Sequence, residues 1–285
     1  MGIGLQGLLT TKQALDTTGH NIANVNTDGY SRQSATILSS GGQNFGGAFY
    51  GVGVQVEEVT RIFDQFSYLD LRGNTSNLSY NSTFLDNVTR VDQVISDDDT
   101  SITNTLAKFF SAANTVADNP NSLEARNNLI QVSQNMTSTF NRLHDQLDLQ
   151  YNAVNDDIEN IASEMTALAK NLAEVNQQIQ LVWGDGTKNL PNDLLDQRDR
   201  LVLSISEFTN VTTVPADNGM LSVFIGSGQP LVLGARSLGV DAVNGRTDNS
   251  KLELALNNNG IQQRLRGDVM GGKIQALTDF RTEVL

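Results

Sequence analysis

The fold is decided by the stretch LDLQYNAVNDDIENIASEMTALAKNLAEVNQQIQLV, residues 147–182, in which an apolar residue returns at every third or fourth position. A repeat that averages about 3.5 residues is the seam of a left-handed coiled coil. The pattern continues less regularly back to Leu129, so the helix should be roughly 80 Å long. Burial of each seam residue contributes on the order of 1.5 to 3 kcal/mol. We therefore expect another helix to cover the seam, namely residues 84–95, and, because that partner is shorter, also residues 102–116 or a segment outside this sequence.

Shorter helical patterns flank the seam. Apolar spacing predicts one long helix with a polar middle over residues 62–95, and an amphipathic helix over residues 102–116 that stops before Pro120. Ser122 is a candidate cap for the seam helix, and a short helix is predicted over residues 193–208. Loops are predicted at Asp97, Asp98 and Asp99 and at residues 183–186, where Asp185 and Gly186 should end the rod.

After residue 208 the pattern changes from helical to β-like. Residues 211–214 and 221–225 flank Asn218 and Gly219, which can supply the positive φ angles of a tight hairpin turn. Residues 231–233 and 252–256 are predicted to be further strands, and the apolar residues of 274–285 have helical spacing.

These patterns predict a mainly α fold, with long antiparallel helices and a coiled-coil rod, together with a partial β-rich outer domain. We divide the chain into an N-terminal assembly helix with a glycine-rich extended arm (1–61), a long helical and coiled-coil domain (62–207) and an incomplete β-rich outer domain (208–285). The last apolar run has neither a cap nor a polar tail.

The N-terminal segment predicts an amphipathic helix over residues 3–23 that ends near Asn24. Its apolar stripe consists of Leu5, Leu8, Leu15 and Ile22. A helix of about 20 residues is only marginally stable alone in water, so the stripe should find a partner in an assembly or by docking. Beyond it, glycine pairs and an alternation of valines around Val54 indicate an irregular extended arm over residues 31–61.

The composition argues against several classes of function. The chain has 19 basic against 32 acidic residues, a net charge of -13, so phosphate backbones and anionic membranes are poor partners. Because it contains no cysteine, disulfides and cysteine-ligated metals are excluded. The sequence has no conventional secretory signal and no run of ~18 apolar residues. We expect protein partners, with no nucleic acid and no membrane insertion.

Candidate catalytic and metal-binding residues have simpler explanations. His20 and His144 lie on separate predicted helices, and neither belongs to a metal-binding motif. An EF-hand that began at Asp97 would need a glycine where Ile102 stands and a glutamate where Lys108 stands. That loop therefore does not predict a calcium site.

Three carboxylates of the short helix, Asp193, Asp196 and Asp199, are predicted to share one face. Carboxylates in the first turn of a helix interact favourably with its dipole, and Arg198 and Arg200 are close enough in sequence to pair with them. We predict a structural role for this group. The sequence thus predicts no catalytic residue, no cofactor and no metal site, and we expect that the chain is not an enzyme.

The segment GLLTTKQALDTTGHNIANVNTDGYSRQ, residues 7–33, resembles the N-terminal signature of the axial proteins of the bacterial flagellum, which are its rod, hook and hook-associated subunits. The turn that ends this signature contains Asn21, Asn24, Asn26, Gly29, Tyr30 and Arg32. The resemblance implies that the Leu5 to Ile22 stripe packs with its counterparts in neighbouring subunits and with a helix from the C-terminus of the same subunit, which lies outside this sequence. It also implies that the turn leads the chain into the arm.

Two further segments resemble the hook-associated members that join hook to filament. One is NDLLDQRDRL, residues 192–201, and the other is FFSAANTVADNPNSLEAR, residues 109–126. The first contains Asn192, Leu194, Leu195, Asp196, Arg198 and Asp199. The long coiled-coil region between them is also similar to those members and unlike the shorter rod and hook subunits.

The resemblance implies a structural subunit that forms a homo-oligomeric ring at the hook–filament junction. Its expected neighbours are the hook protein and a second junction protein. It further implies secretion by the flagellar export apparatus without a cleaved signal peptide, the help of a dedicated export chaperone, and an extracellular location in the flagellum. The family's subunits continue beyond the point that corresponds to residue 285.

Three alternatives remain open at this stage. A rod or hook subunit of the same axial family would share the N-terminal signature but should lack the motif at residues 192–201. A cytoplasmic coiled-coil scaffold would explain the heptads and the acidity but not the signature. An enzyme is the most remote alternative, because no catalytic constellation supports it.

Overall fold

Six α-helices and eleven β-strands form the described part of the computed structural model, which comprises residues 2–96, 102–184 and 191–285. The helices are α1 (Gly2–Ala23), α2 (Gln65–Ser96), α3 (Ile102–Asp118), α4 (Leu123–Gly184), α5 (Asn192–Phe208) and α6 (Gly272–Glu283). The strands are β1 (Gln33–Ser39), β2 (Gly42–Phe45), β3 (Ala48–Gly51), β4 (Val54–Arg61), β5 (Val211–Pro215), β6 (Leu221–Ile225), β7 (Gln229–Leu233), β8 (Arg236–Ser237), β9 (Gly239–Asn244), β10 (Leu252–Asn258) and β11 (Ile261–Arg264). The predicted mainly α fold with a partial β-rich part is confirmed. The loop predicted at Asp97, Asp98 and Asp99 and the rod end predicted at Asp185 and Gly186 lie outside the described residues.

The apolar periodicity located the helices correctly. α4 is 62 residues long, which corresponds to about 90 Å. Ser122 caps it as predicted, because the Ala125 N–H donates to the Ser122 hydroxyl at 3.2 Å. α3 packs against α4, as predicted for residues 102–116.

Both predicted helical partners pack on α4, and its seam is also covered by strands and short helices that the periodicity did not predict. Its buried apolar residues include Val154, Ile158, Ile161, Met165, Leu172, Val175 and Ile179. The predicted partner at residues 84–95 contributes buried Val91 with Phe84 and Val88 beside it, but the same core also takes in α5, α6 and strands β6 to β10. Periodicity reveals that a helix face is apolar and does not reveal which element will cover it.

The strands after α5 form two antiparallel sheets that share the α4 core. One has the strand order β5-β6-β7-β8 and the other the order β9-β10-β11. The predicted hairpin of β5 and β6 is present. Positive φ angles were predicted for both Asn218 and Gly219 in its turn, but only Gly219 has one (81°). α6 then returns to pack against α2, where the Tyr80 hydroxyl donates to the Asp279 carboxylate at 3.0 Å. The core therefore runs continuously across the boundary that we propose near residue 208.

Three polar side chains of α4 bond directly to the backbone of the strands. Asn155 accepts from the Leu252 N–H at 3.0 Å, and Thr166 exchanges two hydrogen bonds with Val240 at 2.8 and 3.0 Å. Asn176 is fully buried; it accepts from the Leu221 N–H at 3.1 Å and donates to the carbonyl oxygens of Leu221 and Gly234 at 2.7 and 2.8 Å. These side chains stand about three helical turns apart and hence on one face. They fix where along α4 each sheet sits.

The segment predicted as an irregular extended arm is a nested hairpin with one register shift, between Thr36 and Ile37, and we call it the arm. β1 pairs with β4 from Gln33 opposite Arg61 to Ser39 opposite Val54, and β2 pairs with β3 beyond them. Gly46 and Gly47 both have positive φ angles, 63° and 84°, as a tight hairpin turn requires. The glycines that suggested irregularity in fact form the turn at the tip.

We predict that Asn176→Ala lowers the free energy of unfolding by about 3 kcal/mol, because it leaves buried backbone groups of Leu221 and Gly234 without partners. Asn171→Ala, an identical change at an exposed position of the same helix, should change it by less than about 0.5 kcal/mol. Urea unfolding monitored by circular dichroism measures both. Equal effects of the two changes would show that Asn176 does not fix the sheet.

Candidate assembly site

The apolar stripe of α1 points away from the rest of the chain. Leu5, Leu8, Leu15 and Ile22 are between 60% and 69% exposed. Within the described residues no element covers them, because α1 contacts only β1 and β4 substantially, through a different face. The stripe is therefore open to a partner.

The opposite face of α1 packs on the arm, and it is made of small and polar residues. Its least exposed positions are Gly7, Thr10, Ala14, Thr17, His20 and Asn21. Thr10 is 6% exposed, and its hydroxyl donates to the Val54 carbonyl at 3.1 Å. The helix is thus docked through hydrogen bonds and close backbone approach, which leaves its apolar residues outside.

Asn21 joins the end of α1 to the start of β1. Its side-chain amide donates to the Gln33 carbonyl at 2.8 Å, and its oxygen accepts from the Gln33 N–H at 2.8 Å and from the Tyr30 hydroxyl at 2.7 Å. These two bonds satisfy the N–H and the carbonyl oxygen of Gln33, as pairing with a neighbouring strand would. Desolvation raises the pKa of Tyr30, and the carboxylates of Asp193 and Asp196 raise it further.

The rest of the signature turn reverses the chain against α5. Asn24 donates from its side chain to the His20 carbonyl at 3.0 Å, which closes the last turn of α1. Gly29 has φ 70°, and a Cβ there would lie 2.4 Å from the Arg200 side chain, so both conformation and space require glycine. Asn26 is exposed in this turn, and Arg32 lines a groove of about 760 Å³ between α1 and β1.

The acidic face of α5 receives the base of the arm. The Asp196 carboxylate, only 2% exposed, accepts from the Ser31 N–H at 2.9 Å and from Arg61 at 2.9 Å. Arg61 also forms an ion pair with Asp199 at 2.6 Å, outside the geometry of a hydrogen bond. One arginine at the end of β4 thus forms ion pairs with two largely buried carboxylates. We call Arg61, Asp196 and Asp199 the joint.

The ends of the acidic face make further contacts with the arm and α1. The Asp193 carboxylate accepts from the Gln33 side chain at 3.0 Å and lies 3.5 Å from the His20 ring nitrogen. Asn192 donates to the Val59 carbonyl at 2.7 Å. The two resembling segments, residues 7–33 and 192–201, are therefore in direct contact in space.

The predicted pairing of the three aspartates with Arg198 and Arg200 is right in one case only. Arg198 approaches Asp199 at 3.5 Å. Arg200 instead lies 3.5 Å from the carbonyl oxygens of the signature turn, and Arg61 takes the place predicted for it. Local spacing could not reveal Arg61, because it precedes Asp196 by 135 residues.

The other side of α5 is fixed to α4 and the sheet. Leu195 is buried against Val175 and Ile179, with Leu194 beside them. Arg198 donates to the Gly219 carbonyl at 3.3 Å, and burial lowers the pKa of its guanidinium while Asp199 opposes that effect. Because α5 is attached both to α4 and to the arm, it sets the position of the arm relative to α4.

Tyr68 and Arg72 of α2 lie beside the joint, and no sequence pattern predicted this position for them. The Tyr68 hydroxyl donates to the Asp199 carbonyl oxygen, and the Arg72 guanidinium lies 5.3 Å from the Tyr68 ring centroid. Burial raises the pKa of Tyr68 strongly, and the charge of Asp199 adds to the effect. Tyr68 thus stays neutral and acts as a hydrogen-bond donor.

Comparison with known protein families gives two matches. Residues 88–285 match the family described as Flagellar hook-associated protein FlgK helical domain. This chain belongs to the FlgK family. Residues 1–30 also match the family described as Flagella basal body rod protein.

Relatives of the FlgK family match over nearly the whole chain. Flagellar hook-associated protein 1 of Salmonella typhimurium is 30% identical over 99% of this chain and 51% of its own length. The protein of the same name from Escherichia coli is 30% identical over 88% of this chain, and that from Bacillus subtilis is 28% identical over 72%. The chain spans about half the length of the curated relatives that it matches.

A solved FlgK structure shares the fold. The flagellar hook junction protein FlgK from Burkholderia pseudomallei superposes with a TM-score of 0.66, at 24% identity, over 76% of this chain and 39% of that one. The family membership makes this chain a flagellar component and disfavours the scaffold alternative. Within the described ranges, no helix is both long and apolar enough to cross a membrane, and no cluster of three histidine or acidic residues could hold a metal.

We predict that Arg61→Met destabilises the protein by about 3 kcal/mol, because it leaves Asp196 buried without its cation and leaves Asp199 with Arg198 alone. The arm should also become more accessible, so limited proteolysis should cut between residues 31 and 61 faster than in the wild type. The double variant Arg61→Met, Asp196→Asn removes both charges of this buried pair, leaves Asp199 with Arg198, and should recover much of this loss. A single variant as stable as the wild type would mean that the joint does not hold the arm.

Proposed function

We propose that the chain is a structural subunit of the junction between the flagellar hook and filament, and that it assembles through the stripe of α1. The observation that carries this is the exposure of Leu5, Leu8, Leu15 and Ile22 on a helix that is docked by its polar face. Burial of each such residue contributes on the order of 1.5 to 3 kcal/mol, so neighbouring copies gain by covering one another's stripes. The expected assembly is a homo-oligomeric ring.

The signature turn and the joint give this subunit a defined shape. Asn21, Asn24, Gly29 and Tyr30 turn the chain from α1 into the arm, and Arg32 and Asn26 flank that turn. The motif residues Asn192, Asp196 and Asp199 hold the arm on α5, and Leu194, Leu195 and Arg198 hold α5 on the rod. A ring between two mismatched polymers needs such fixed geometry, because each subunit has to contact both.

The remaining partners and the route to the site follow from the resemblance of residues 7–33 to flagellar axial proteins. The neighbours are the hook protein and a second junction protein. The chain reaches the extracellular flagellum through the flagellar export apparatus, without a cleaved signal peptide and with a dedicated export chaperone. Its role is mechanical and not enzymatic. The Flagella basal body rod protein match stops at residue 30, whereas the FlgK match covers most of the rest, which favours a junction subunit over a rod or hook subunit.

Deletion of the gene tests the proposal. Loss of a junction subunit should leave complete hooks without attached filaments, and filament protein should accumulate in the medium. Loss of a rod or hook subunit would instead leave no complete hook. Electron microscopy of the cell surface and an immunoblot of the medium separate these outcomes, and intact motility would contradict every flagellar function.

Leu8→Asp together with Leu15→Asp tests the stripe in the full-length protein. Each change places a charge where an apolar contact is proposed, so the variant should fail to join filaments to hooks while its thermal unfolding stays within about 2 °C of the wild type. The matched control is Gln6→Asp with Gln13→Asp, which adds the same charges with the same spacing at exposed positions on the polar side of the helix. Normal filament attachment by the leucine variant would show that the stripe does not drive assembly.

A further inference from the structure

A cleft of about 440 Å³ between the β9-β10-β11 sheet and α6 collects positive charge on this acidic chain. Its basic residues are Arg246, Lys251, Arg264, Arg266 and Arg281, and its acidic ones are Glu253 and Asp268. The chain as a whole has 19 basic and 32 acidic residues. The cleft therefore reverses the overall balance, with five basic residues against two acidic ones.

The two carboxylates of the cleft already have partners. Arg264 pairs with Glu253 at 2.9 Å, and Arg266 pairs with Asp268 at 2.6 Å. Arg246, Lys251 and Arg281 form no ion pair with any residue in the described ranges. Positive charge is thus left over at the cleft.

Arg281 is the most unusual of these residues, because it is buried. It is 6% exposed; its Nη1 donates to the Asn155 side-chain oxygen at 3.2 Å, and its Nε has no partner among the residues that the structure describes. Burial lowers the pKa of its guanidinium, against weaker opposing effects of Tyr151, Glu253 and Asp248. A guanidinium offers five N–H donors, and one neutral amide oxygen does not balance its charge. An anion in the cleft would supply the missing acceptor.

The floor of the cleft is apolar. It is formed by Leu252, Leu254, Leu265 and Ile274, of which all but Leu252 are buried. A bare inorganic ion would leave this floor in contact with water. The lining therefore favours a ligand that presents an acid group and an apolar group together.

We propose that the cleft binds a carboxylate carried on an apolar body, with Arg281 meeting the carboxylate and the leucine floor meeting the body. Two sources offer this chemistry. One is a free aliphatic carboxylate, and the other is an aspartate or glutamate beside an apolar residue in a polypeptide. This inference does not depend on the flagellar role.

Isothermal titration of the chain with sodium hexanoate tests the site, with acetate and hexanol as probes that each lack one half of the ligand. Hexanoate should bind with a dissociation constant on the order of 1 mM or below, and each half ligand should bind at least about tenfold more weakly. Arg281→Met keeps the length of the side chain and should weaken hexanoate binding by about tenfold or more. Arg236→Met removes the same charge from an exposed position of β8 outside the cleft and should leave binding unchanged.

Thermal unfolding shows whether each variant is folded. If Arg281→Met does not fold, Arg246→Met at the exposed rim replaces it and should weaken hexanoate binding by about threefold. No saturable binding by the wild-type chain would overturn the proposal, and so would equal losses in the cleft variant and in Arg236→Met. Titration with acetyl-Leu-Glu-Leu-amide then assigns the source. Binding about tenfold tighter than that of hexanoate indicates a polypeptide segment, and weaker binding indicates a small carboxylate.

Discussion

The burial of one apolar face of α4 by segments from distant parts of the chain is the constraint on which the rest of the structure depends. Met165 and Leu172 are fully buried on a helix of 62 residues that could not cover them by itself. The covering residues come from α2, α5, α6 and both later sheets, and all belong to one core. Since the chain has to return repeatedly to the same helix, the path of its second half is set by which segments reach that face. The position of α5, and with it that of the arm, follows from this packing.

Apolar burial has no direction, so polar bonds are needed to choose one arrangement along so long a helix. A sheet that slid by one turn along α4 would bury similar apolar area. Asn155, Thr166 and Asn176 remove that freedom, because each bonds a particular backbone group of β10, β9 or β6. The polar contacts of the joint fix the position of the arm on α5 in the same way. Arg61 pairs with both Asp196 and Asp199 only when the base of β4 lies on one face of α5.

The sequence was informative where structure follows from local order and uninformative where it depends on distant partners. Helices α1 to α6 were predicted because a repeat of three or four residues is a property of each segment alone. The two helical partners predicted for α4 do pack on it, but strands β6 to β10 also cover its seam, and nothing in a periodic pattern identifies these further elements. The aspartates of α5 were singled out correctly, but Arg61 was missed, because its distance from them in sequence conceals the contact. Glycine pairs suggested an irregular arm, whereas Gly46 and Gly47 form a tight turn.

α1 docks on the arm through its polar face, whereas a docked helix usually buries its apolar face. This difference bears on how copies could associate. Its polar face is turned toward the arm, while Leu5, Leu8, Leu15 and Ile22 are left exposed. At on the order of 1.5 to 3 kcal/mol each, the four side chains together hold roughly 6 to 12 kcal/mol of transfer free energy, comparable with the stability of a whole domain. The net charge of -13 would oppose close approach of copies. Within α1, however, the charged residues Lys12 and Asp16 cancel. The element that carries the exposed apolar stripe is therefore one where repulsion between copies is weak.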